Sequence, residues 1–487
     1  MLRVAFETIP ARLDPRFAVD AYASRVASLL HVSLVRSGGD GSYVPYLAES
    51  WLCPDESRCR FRLRDDLSFH DGRPITAVDV KATYEAILDP ALGSPRRGML
   101  ASIAGIETPD AHTVDFVLNR PDAAFMEAAT LAILPANQAA ERDIEPLELM
   151  ASGPYRLLSL HPGERAVLEA YSDFVPHAPE ISRIELRSVP DGTMRALELV
   201  AGEVDLVQNA IDPDTTAWLE RCAPHLTVTR SASSNFQYLG MNLAHPLLSD
   251  VRVRRAIAHA IDREAIVENL LVSQAEPATG LLPPEHWAYS RNVRKHRYAP
   301  ERARRLLDAA GLFDPDGDGP QARMTLSYKT TTVELRRRIA EAIAAQLATV
   351  GIRLEILSYE WGTFFEDIRT GNFQLYSLQW VGIAEPDLYR QVFHSRMAPP
   401  QGNNRGRYND AKMDKLTERG ARTLARRKRQ RIYRRVQRRA ARTLPYIPLW
   451  WPQRIVIAAD HLEGFTPHPA GDLHGLASAR LVTSNSD

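Results

Sequence analysis

The middle of the chain alternates helical and strand-like patterns, and this alternation constrains the fold more than any other feature. Apolar residues recur every four positions from Val253 to Ile261, which predicts a helix with one buried face. A longer helix is predicted from about 333 to Gly351, and strands are predicted at 352–359 and 373–380. Helices and strands that alternate in this way predict an α/β protein built around mixed sheets.

The first third of the chain is typical of antiparallel β-structure. Strand-like residues fill 43–69 around a turn, and a second hairpin is predicted at 103–118. Thr76 is a good helix cap, so a helix is expected from there to about Leu88. Cys53 and Cys59 flank the first turn. They are either joined across the hairpin, as an oxidising compartment would allow, or remain two unpaired thiols.

Charge and hydropathy argue against two classes of protein, nucleic-acid-binding proteins and membrane-spanning proteins. The 487 residues, enough for two to four domains, contain 60 Lys and Arg and 60 Asp and Glu. A net charge of zero argues against a nucleic-acid partner. The basic segment 426–442 has apolar residues every fourth position through Leu444, which favours a helix with a solvated, arginine-rich outer face over a phosphate-binding surface. No run approaches the roughly 18 apolar residues of a membrane span.

The sequence contains no motif typical of an enzyme. The nucleophile elbow, the zinc-protease helix, the phosphate-binding loop and the dinucleotide-binding loop are all missing, and the 14 His lack metal-ligand spacing. Asp314–Gly319 is like the first half of a calcium loop, but Thr325 stands where that loop needs a glutamate. The missing motifs lower the expectation of an enzyme without excluding one. Our prediction is a protein that is not an enzyme, with no catalytic residues, metal ligands or cofactor.

The N-terminus carries no pattern of a secretory leader. Met1 runs directly into a strand-like segment at 2–7, with no basic stretch followed by an apolar core. The expectation is either a cytoplasmic protein or a chain that begins at its mature domain.

Several blocks carry a resemblance to a known family. The most distinctive are Pro45–Trp51, Phe61–Arg64 and Phe69–Val80. They resemble the signature of the family 5 extracellular solute-binding proteins, the peptide/nickel-type receptors of ABC importers. Further blocks match in the same order, at Leu13–Pro15, Ser152–Tyr155, Gly202–Asp205, Leu248–Ala256 and Ala260–Asp262.

The resemblance implies a two-lobed periplasmic-binding-protein-like fold of type II, with an extra N-terminal subdomain, mixed sheets and a ligand cleft between the lobes. Lobe I is expected to be discontinuous, at 1–35, 150–233 and 445–487, with the inserted subdomain at 36–149. Lobe II is expected at 234–444. The implied mechanism is hinge closure, which buries the ligand and presents a surface to the membrane permease.

The resemblance also implies which residues meet the ligand. In peptide-binding members, the segment matching Trp380–Gly382 contacts the ligand, and an Asp three positions after the Trp neutralises its α-amino group. This chain has Ile383 at that position, and an apolar residue cannot pair with an ammonium group. Either Glu385 or Asp387 substitutes for the missing Asp, or the ligand has no free amine there.

The segment Val32–Leu34 and the aromatic residue Tyr238 match positions that line the cleft in the family. A loop at 403–405 is also expected to reach the cleft. Arg405 on that loop, beside Asn403 and Asn404, is placed either to pair with a ligand carboxylate or on the surface. The expected ligand-binding residues are Val32, Ser33, Leu34, Tyr238, Trp380, Val381, Gly382, Ile383, Glu385, Asn404 and Arg405.

The function expected from the resemblance is that of a soluble, monomeric receptor of an ABC importer. It would capture a peptide or peptide-like solute and deliver it to the transmembrane permease subunits. Its expected place is periplasmic, or on the outer side of the inner membrane as an anchored lipoprotein. Two alternatives remain open: a solute-sensing regulatory protein with the same fold, and a receptor for a metal complex, a sugar or a murein fragment.

Overall fold

The computed structural model describes residues 1–55, 57–317 and 319–482. Two turns singled out in the sequence contain a residue outside this description. These residues are Glu56, between the two cysteines of the first hairpin, and Asp318, in the Gly/Asp-rich turn. The rest of both turns belongs to the described part of the chain.

The chain forms two compact units. Unit 1 consists of Met1–Ala232 together with the segment that begins at Arg454, and unit 2 consists of Ser233–Gln453. Each unit has its own mixed sheet and its own buried apolar clusters. The predicted α/β class, with mixed sheets, is therefore confirmed in both units.

A seven-stranded mixed sheet forms the body of unit 1. The predicted N-terminal strand is confirmed as Leu2–Phe6, and it runs parallel to both of its neighbours. Leu2, Val4 and Phe6 are buried against the helix Ala21–Leu30. In spatial order, the strands are Leu226–Ser231, Arg454–Ala459, Leu206–Gln208, Leu2–Phe6, Arg183–Ser188, Arg165–Ala170 and Tyr155–His161. The other helices of at least nine residues beside this sheet are Gly192–Val200 and Pro213–Cys222.

A four-stranded antiparallel sheet lies within the segment predicted as an inserted subdomain. The helix Ala77–Leu88 belongs to the same segment and has Thr76 as its N-cap, as predicted, and the Asp79 side chain completes a capping box. Cys53 and Cys59 form a disulfide, which resolves the alternative left open by the sequence. In spatial order, the strands are Ala48–Asp55, Arg58–Leu63, Thr113–Leu118 and Ile103–Asp110.

Short elements complete unit 1. The predicted strand at 67–69 is reduced to a single bridge between Ser68 and Pro74. Two pairs of short strands are Val35–Ser37 with Tyr43–Pro45, and Leu462–Glu463 with Arg480–Leu481. The short helical segments are Arg97–Leu100, Phe125–Ala128, Ala136–Ala139 and His474–Ser478.

Unit 2 is built on a six-stranded mixed sheet. The strand Phe236–Met241 pairs antiparallel with Leu375–Trp380 on one side and with Tyr446–Pro452 on the other. Sequence reasoning placed residues 445–453 with lobe I, but the structure places this strand in unit 2, because Ile447 and its apolar neighbours are buried in the core of that unit. In spatial order, the strands are Ala275–Pro277, Tyr446–Pro452, Phe236–Met241, Leu375–Trp380, Met324–Thr331 and Ile352–Tyr359.

The helices of unit 2 confirm the periodic patterns in the sequence. The predicted long helix is Glu334–Ala348, and the basic segment forms the helix Arg426–Thr443. Ile432 and Val436 lie on the buried face of this basic helix, but Arg429 is buried as well. The remaining helical segments are Pro246–Ser249, Val251–Ala260, Arg263–Asn269, Pro300–Ala309, Trp361–Thr370, Leu388–Phe393, Ser395–Met397 and Ala411–Arg422. Among the described residues, we find no helix with both the length and the apolar character needed to cross a membrane.

We predict that Gly153→Ala destabilises unit 1 by about 2–3 kcal/mol, because an added methyl group overpacks a rigid site. An ideal Cβ at Gly153 would lie 2.5 Å from the Leu29 carbonyl oxygen and 2.7 Å from the His31 nitrogen, and both are backbone atoms. Urea unfolding, followed by circular dichroism, measures the change. Gly105→Ala is the matched control in the same unit, because a Cβ there meets nothing within 4 Å. Equal unfolding midpoints for the two variants would contradict this packing.

A second prediction concerns the pH dependence of stability. His31 is fully buried, and burial lowers the pKa of its imidazole to about 3. The unfolded chain takes up this proton near pH 6.5, whereas the folded chain does not, so stability falls as the pH drops from 6.5 toward 3. The fall from this group is at most about 1.4 kcal/mol per pH unit. Urea unfolding of His31→Leu at pH 7, 5 and 4 should show a shallower fall than the wild type. An identical pH dependence in both proteins would contradict the assignment.

Candidate functional site

Four aromatic side chains from three adjacent strands form a cluster in unit 2. The Tyr238 ring stacks on the Tyr446 ring, with 4.0 Å between centroids and 15° between planes. The Trp380 ring lies nearly parallel to the Tyr238 ring, with 6.3 Å between centroids. The Tyr376 ring meets the Tyr238 ring edge-on, with 5.8 Å between centroids. We call Tyr238, Tyr376, Trp380 and Tyr446 the aromatic cluster.

The cluster follows from strand geometry and from one glycine. Residues two apart on a strand point to the same face of a sheet, so Tyr376 and Trp380 emerge on one side of Leu375–Trp380. The Tyr376 ring lies against Gly240 of the neighbouring strand, where an ideal Cβ would come within 2.3 Å of the ring. A side chain at this position would displace Tyr376, so Gly240 is what allows the ring to lie there.

Arg405 brings a positive charge to the cluster. Its guanidinium carbon lies 5.2 Å from the ring centroids of both Trp380 and Phe365, at a distance typical of cation–π contacts. One guanidinium nitrogen is 3.4 Å from the Tyr238 hydroxyl oxygen, which makes a long hydrogen bond. Within the described part of the chain, no carboxylate lies close enough to Arg405 to form an ion pair.

Asn404 fixes the loop that carries Arg405. It is buried, and its amide donates hydrogen bonds to the carbonyls of His394 and Tyr408, at 3.1 and 2.7 Å. Its side-chain oxygen accepts a bond from the Tyr408 N–H at 2.9 Å. The neighbouring Asn403 N–H donates to the Gln391 carbonyl. Asn404 is therefore placed to position Arg405 through the backbone.

The tyrosine hydroxyls of the cluster carry no compensating negative charge. Burial raises the pKa of the Tyr376 and Tyr446 hydroxyls well above the ordinary value. Both hydroxyls are therefore neutral at pH 7. The buried indole N–H of Trp380 has no hydrogen-bond partner among the described residues. The cluster thus presents a cation and an unused donor.

The segment after Trp380 is tied to the loop before the central strand. Val381 is exposed, whereas Ile383 is buried. The Gly382 N–H donates to the Asn235 side-chain oxygen at 3.0 Å, and the Ile383 N–H donates to the Ser234 carbonyl at 2.8 Å. These bonds fix the backbone next to the cluster and leave only the Val381 side chain of this segment projecting.

Both carboxylates of the nearby acidic segment are paired with arginines. Glu385 and Arg429 are both buried, with carboxylate-to-guanidinium distances of 3.2 and 2.5 Å. Burial alone would lower the pKa of the Arg429 guanidinium, but the Glu385 carboxylate raises it above its ordinary value. Asp387 accepts from Arg390 at 2.9 Å and from the Tyr433 hydroxyl at 3.3 Å.

The structure thus brings together only part of the predicted site. Tyr238, Trp380 and Arg405 are in direct contact, while Glu385 and Asn404 are buried in supporting roles. The predicted residues of unit 1 are also part of a core: Val32 and Leu34 are fully buried, and the carbonyls of Val32, Ser33 and Leu34 accept backbone bonds from Ile133, Leu47 and Ala48.

Three residues of this region were not predicted from the sequence: Phe365, Tyr376 and Tyr446. The signal for Tyr376 was present, since Tyr376, Leu378 and Trp380 alternate with period two. The position of Tyr446 depends on strand pairing distant in sequence. Trp450 and Trp451 of the neighbouring strand are buried, and the Trp451 indole donates to the Gly280 carbonyl. The described residues include no group of three or more His, Cys, Asp or Glu arranged to hold a metal ion.

Known proteins resemble this chain over nearly its full length. The chain is 27% identical over 487 aligned residues to the oligopeptide-binding protein AppA of Bacillus subtilis, covering 96% of this chain and 89% of AppA. It is 26% identical to di/tripeptide-binding protein 2 of Pseudomonas aeruginosa, with 96% and 92% coverage.

Two solved structures, each at 25% identity and each covering 99% of both chains, have the same fold. AppA in complex with a nonapeptide superposes with a TM-score of 0.84, and AgaA of A. tumefaciens in complex with agropinic acid with a TM-score of 0.81.

The family profile gives the broadest statement. The profile described as bacterial extracellular solute-binding proteins, family 5, middle region, matches residues 42–396, which is more than half of the chain. These proteins bind solutes outside the cell for ABC importers and are not enzymes. The chain therefore belongs to the bacterial extracellular solute-binding proteins of family 5.

Proposed function

We propose that this protein is the receptor of an ABC importer for a peptide or a peptide-like solute. Units 1 and 2 would be the two lobes, with 36–149 as a subdomain of the first. Hinge closure would bury the solute and present it to the permease subunits. Its place would be the periplasm, or the outer side of the inner membrane if a lipid anchor holds it.

The observation that carries this proposal is the aromatic cluster with Arg405. Ligand sites combine large apolar surfaces with a few polar groups that fix orientation. Tyr238 and Trp380 supply the apolar surface, and Arg405 supplies a charge that nothing in the described chain neutralises. The peptide-binding relatives AppA and di/tripeptide-binding protein 2 make a peptide the first choice of solute.

The ligand contacts proposed on unit 2 differ in kind. Trp380 and Val381 would touch the solute with their side chains, and two observations support this: Val381 is half exposed, and the Trp380 ring contacts Arg405. Gly382 and Ile383 hold the backbone through Asn235 and Ser234 and would act indirectly. On unit 1, Val32, Ser33 and Leu34 remain proposed contacts.

One observation favours a second candidate, a solute that is not a peptide. The similar protein AgaA was solved with agropinic acid. The fold and the closing mechanism would be unchanged in that case. Only the chemical class of the solute would differ.

Mass spectrometry of whatever is released on denaturing gently purified protein tests the proposed function. We expect a set of peptides. A single non-peptide compound would overturn the peptide assignment and leave the receptor mechanism intact.

We predict that Trp380→Ala weakens solute binding at least about tenfold, because an aromatic anchor in a binding site contributes on the order of 2 kcal/mol. Isothermal titration calorimetry with the solute identified by mass spectrometry measures the change. Trp218→Ala is the matched control, since Trp218 is 40% exposed on a helix of unit 1. Unchanged affinity in a folded Trp380→Ala protein would remove this residue from the site.

A further inference from the structure

We infer that the corner formed by Arg405 and Trp380 takes a carboxylate of the solute, and that unit 2 makes no recognition of a free amine. This inference rests on the proposed function and specifies the chemical class that the site selects. The occupant is an acid group of the ligand, supplied either by the terminal carboxylate of a peptide or by an acidic side chain.

The first argument is an uncompensated charge. A guanidinium has five N–H donors, and the structure gives Arg405 one long bond, to the Tyr238 hydroxyl at 3.4 Å. Half-burying a cation without a counter-ion is unfavourable. Two other arginines of unit 2 meet a carboxylate, Arg390 with Asp387 and Arg429 with Glu385. The buried Arg254 has no carboxylate partner but donates five hydrogen bonds to backbone carbonyls, and Arg405 has no such set of acceptors. Arg405 is left to pair with an anion that comes from the ligand.

The second argument is the geometry around the guanidinium. Phe365 and Trp380 each lie 5.2 Å from its central carbon and restrict its orientation through contact with their rings. A planar guanidinium held in this way keeps edge N–H groups for a planar acceptor, and a carboxylate accepts two such bonds at once. The buried indole N–H of Trp380, whose ring contacts Arg405, also has no hydrogen-bond partner among the described residues.

The third argument excludes an ammonium ligand at this place. An ammonium group needs a carboxylate or several carbonyl oxygens, because it has three donors and no acceptor. The Ile383 side chain has no oxygen that could accept from an ammonium group. The carboxylates of Glu385 and Asp387 are already paired with arginines. The Ala384 carbonyl accepts from the His286 ring at 3.0 Å. An ammonium here would also meet the like charge of Arg405.

The test uses the full chain and pools of mixed short peptides that contain no Asp or Glu. One pool has free ends, one is N-acetylated, and one is C-amidated. Thermal stabilisation and calorimetry report binding. We expect the N-acetylated pool to bind within about threefold of the free pool, and C-amidation to weaken binding about ten- to hundredfold, as for loss of a charged hydrogen bond.

Two variants assign the effect to Arg405. In Arg405→Gln, the difference between the free and amidated pools should disappear, because the variant keeps a polar side chain but loses the charge. Arg407→Gln is the matched control, an exposed arginine two residues away on the same loop, and should keep the full difference. A fourth pool, amidated but containing Asp and Glu, distinguishes the two sources of the carboxylate. Restored binding there supports the site with a side-chain acid as its occupant.

Three results would overturn the inference. Equal binding of the free and amidated pools, with the N-acetylated pool weakened, would show amine recognition. A difference between free and amidated pools that persists in Arg405→Gln would place the carboxylate elsewhere. Failure of every pool to bind would overturn the proposed peptide function itself, and this inference with it.

Discussion

The pairing of Phe236–Met241 with its two neighbouring strands is the constraint on which the candidate site depends. This strand lies between Leu375–Trp380 and Tyr446–Pro452, and antiparallel pairing fixes which side chains meet across it. The register places Tyr238 between Trp380 and Tyr446, and it places Gly240 under the Tyr376 ring. A shift of one residue would move each of these side chains to the opposite face.

Charge pairing leaves Arg405 of the same region without an acidic partner among the described residues. The interior of unit 2 contains acidic and basic side chains, and a buried charge is tolerated when it is paired and hydrogen-bonded. Glu385 is satisfied by Arg429, and Asp387 by Arg390. After this pairing, the cation at Arg405 is left facing aromatic rings and neutral hydroxyls. The acids of the segment after Trp380 are thus engaged with other arginines, and the Arg405 charge has no acidic partner among the described residues.

Local signals in the sequence predicted many of the elements. The capped helix Ala77–Leu88 and the helix Glu334–Ala348 lie where apolar spacing and capping residues indicated. These patterns are local, since the residues that make them lie within a few turns of one another. The order of strands in the sheets is not local. The strand Tyr446–Pro452 completes the sheet of unit 2 with partners more than 150 positions earlier in the chain, so sequence reasoning placed it in the other lobe.

The candidate site shows the same division. Tyr238, Trp380 and Arg405 were selected from the sequence, but only strand pairing shows that they touch. The pairing of Glu385 with Arg429 joins residues 44 positions apart. Apolar spacing marked the face of the basic helix near Arg429, yet it could not identify one arginine among many as buried. The question raised by Ile383, whether a nearby acid replaces a missing one, therefore needed side-chain geometry.

The most direct test of the central claim is a crystal structure of the protein with its solute bound. This account predicts a carboxylate of the solute within hydrogen-bond distance of the Arg405 guanidinium, beside the Trp380 indole N–H. It also predicts that Glu385 and Asp387 remain paired with Arg429 and Arg390. A solute whose ammonium group lies against a released Glu385 or Asp387, with Arg405 turned away, would contradict it.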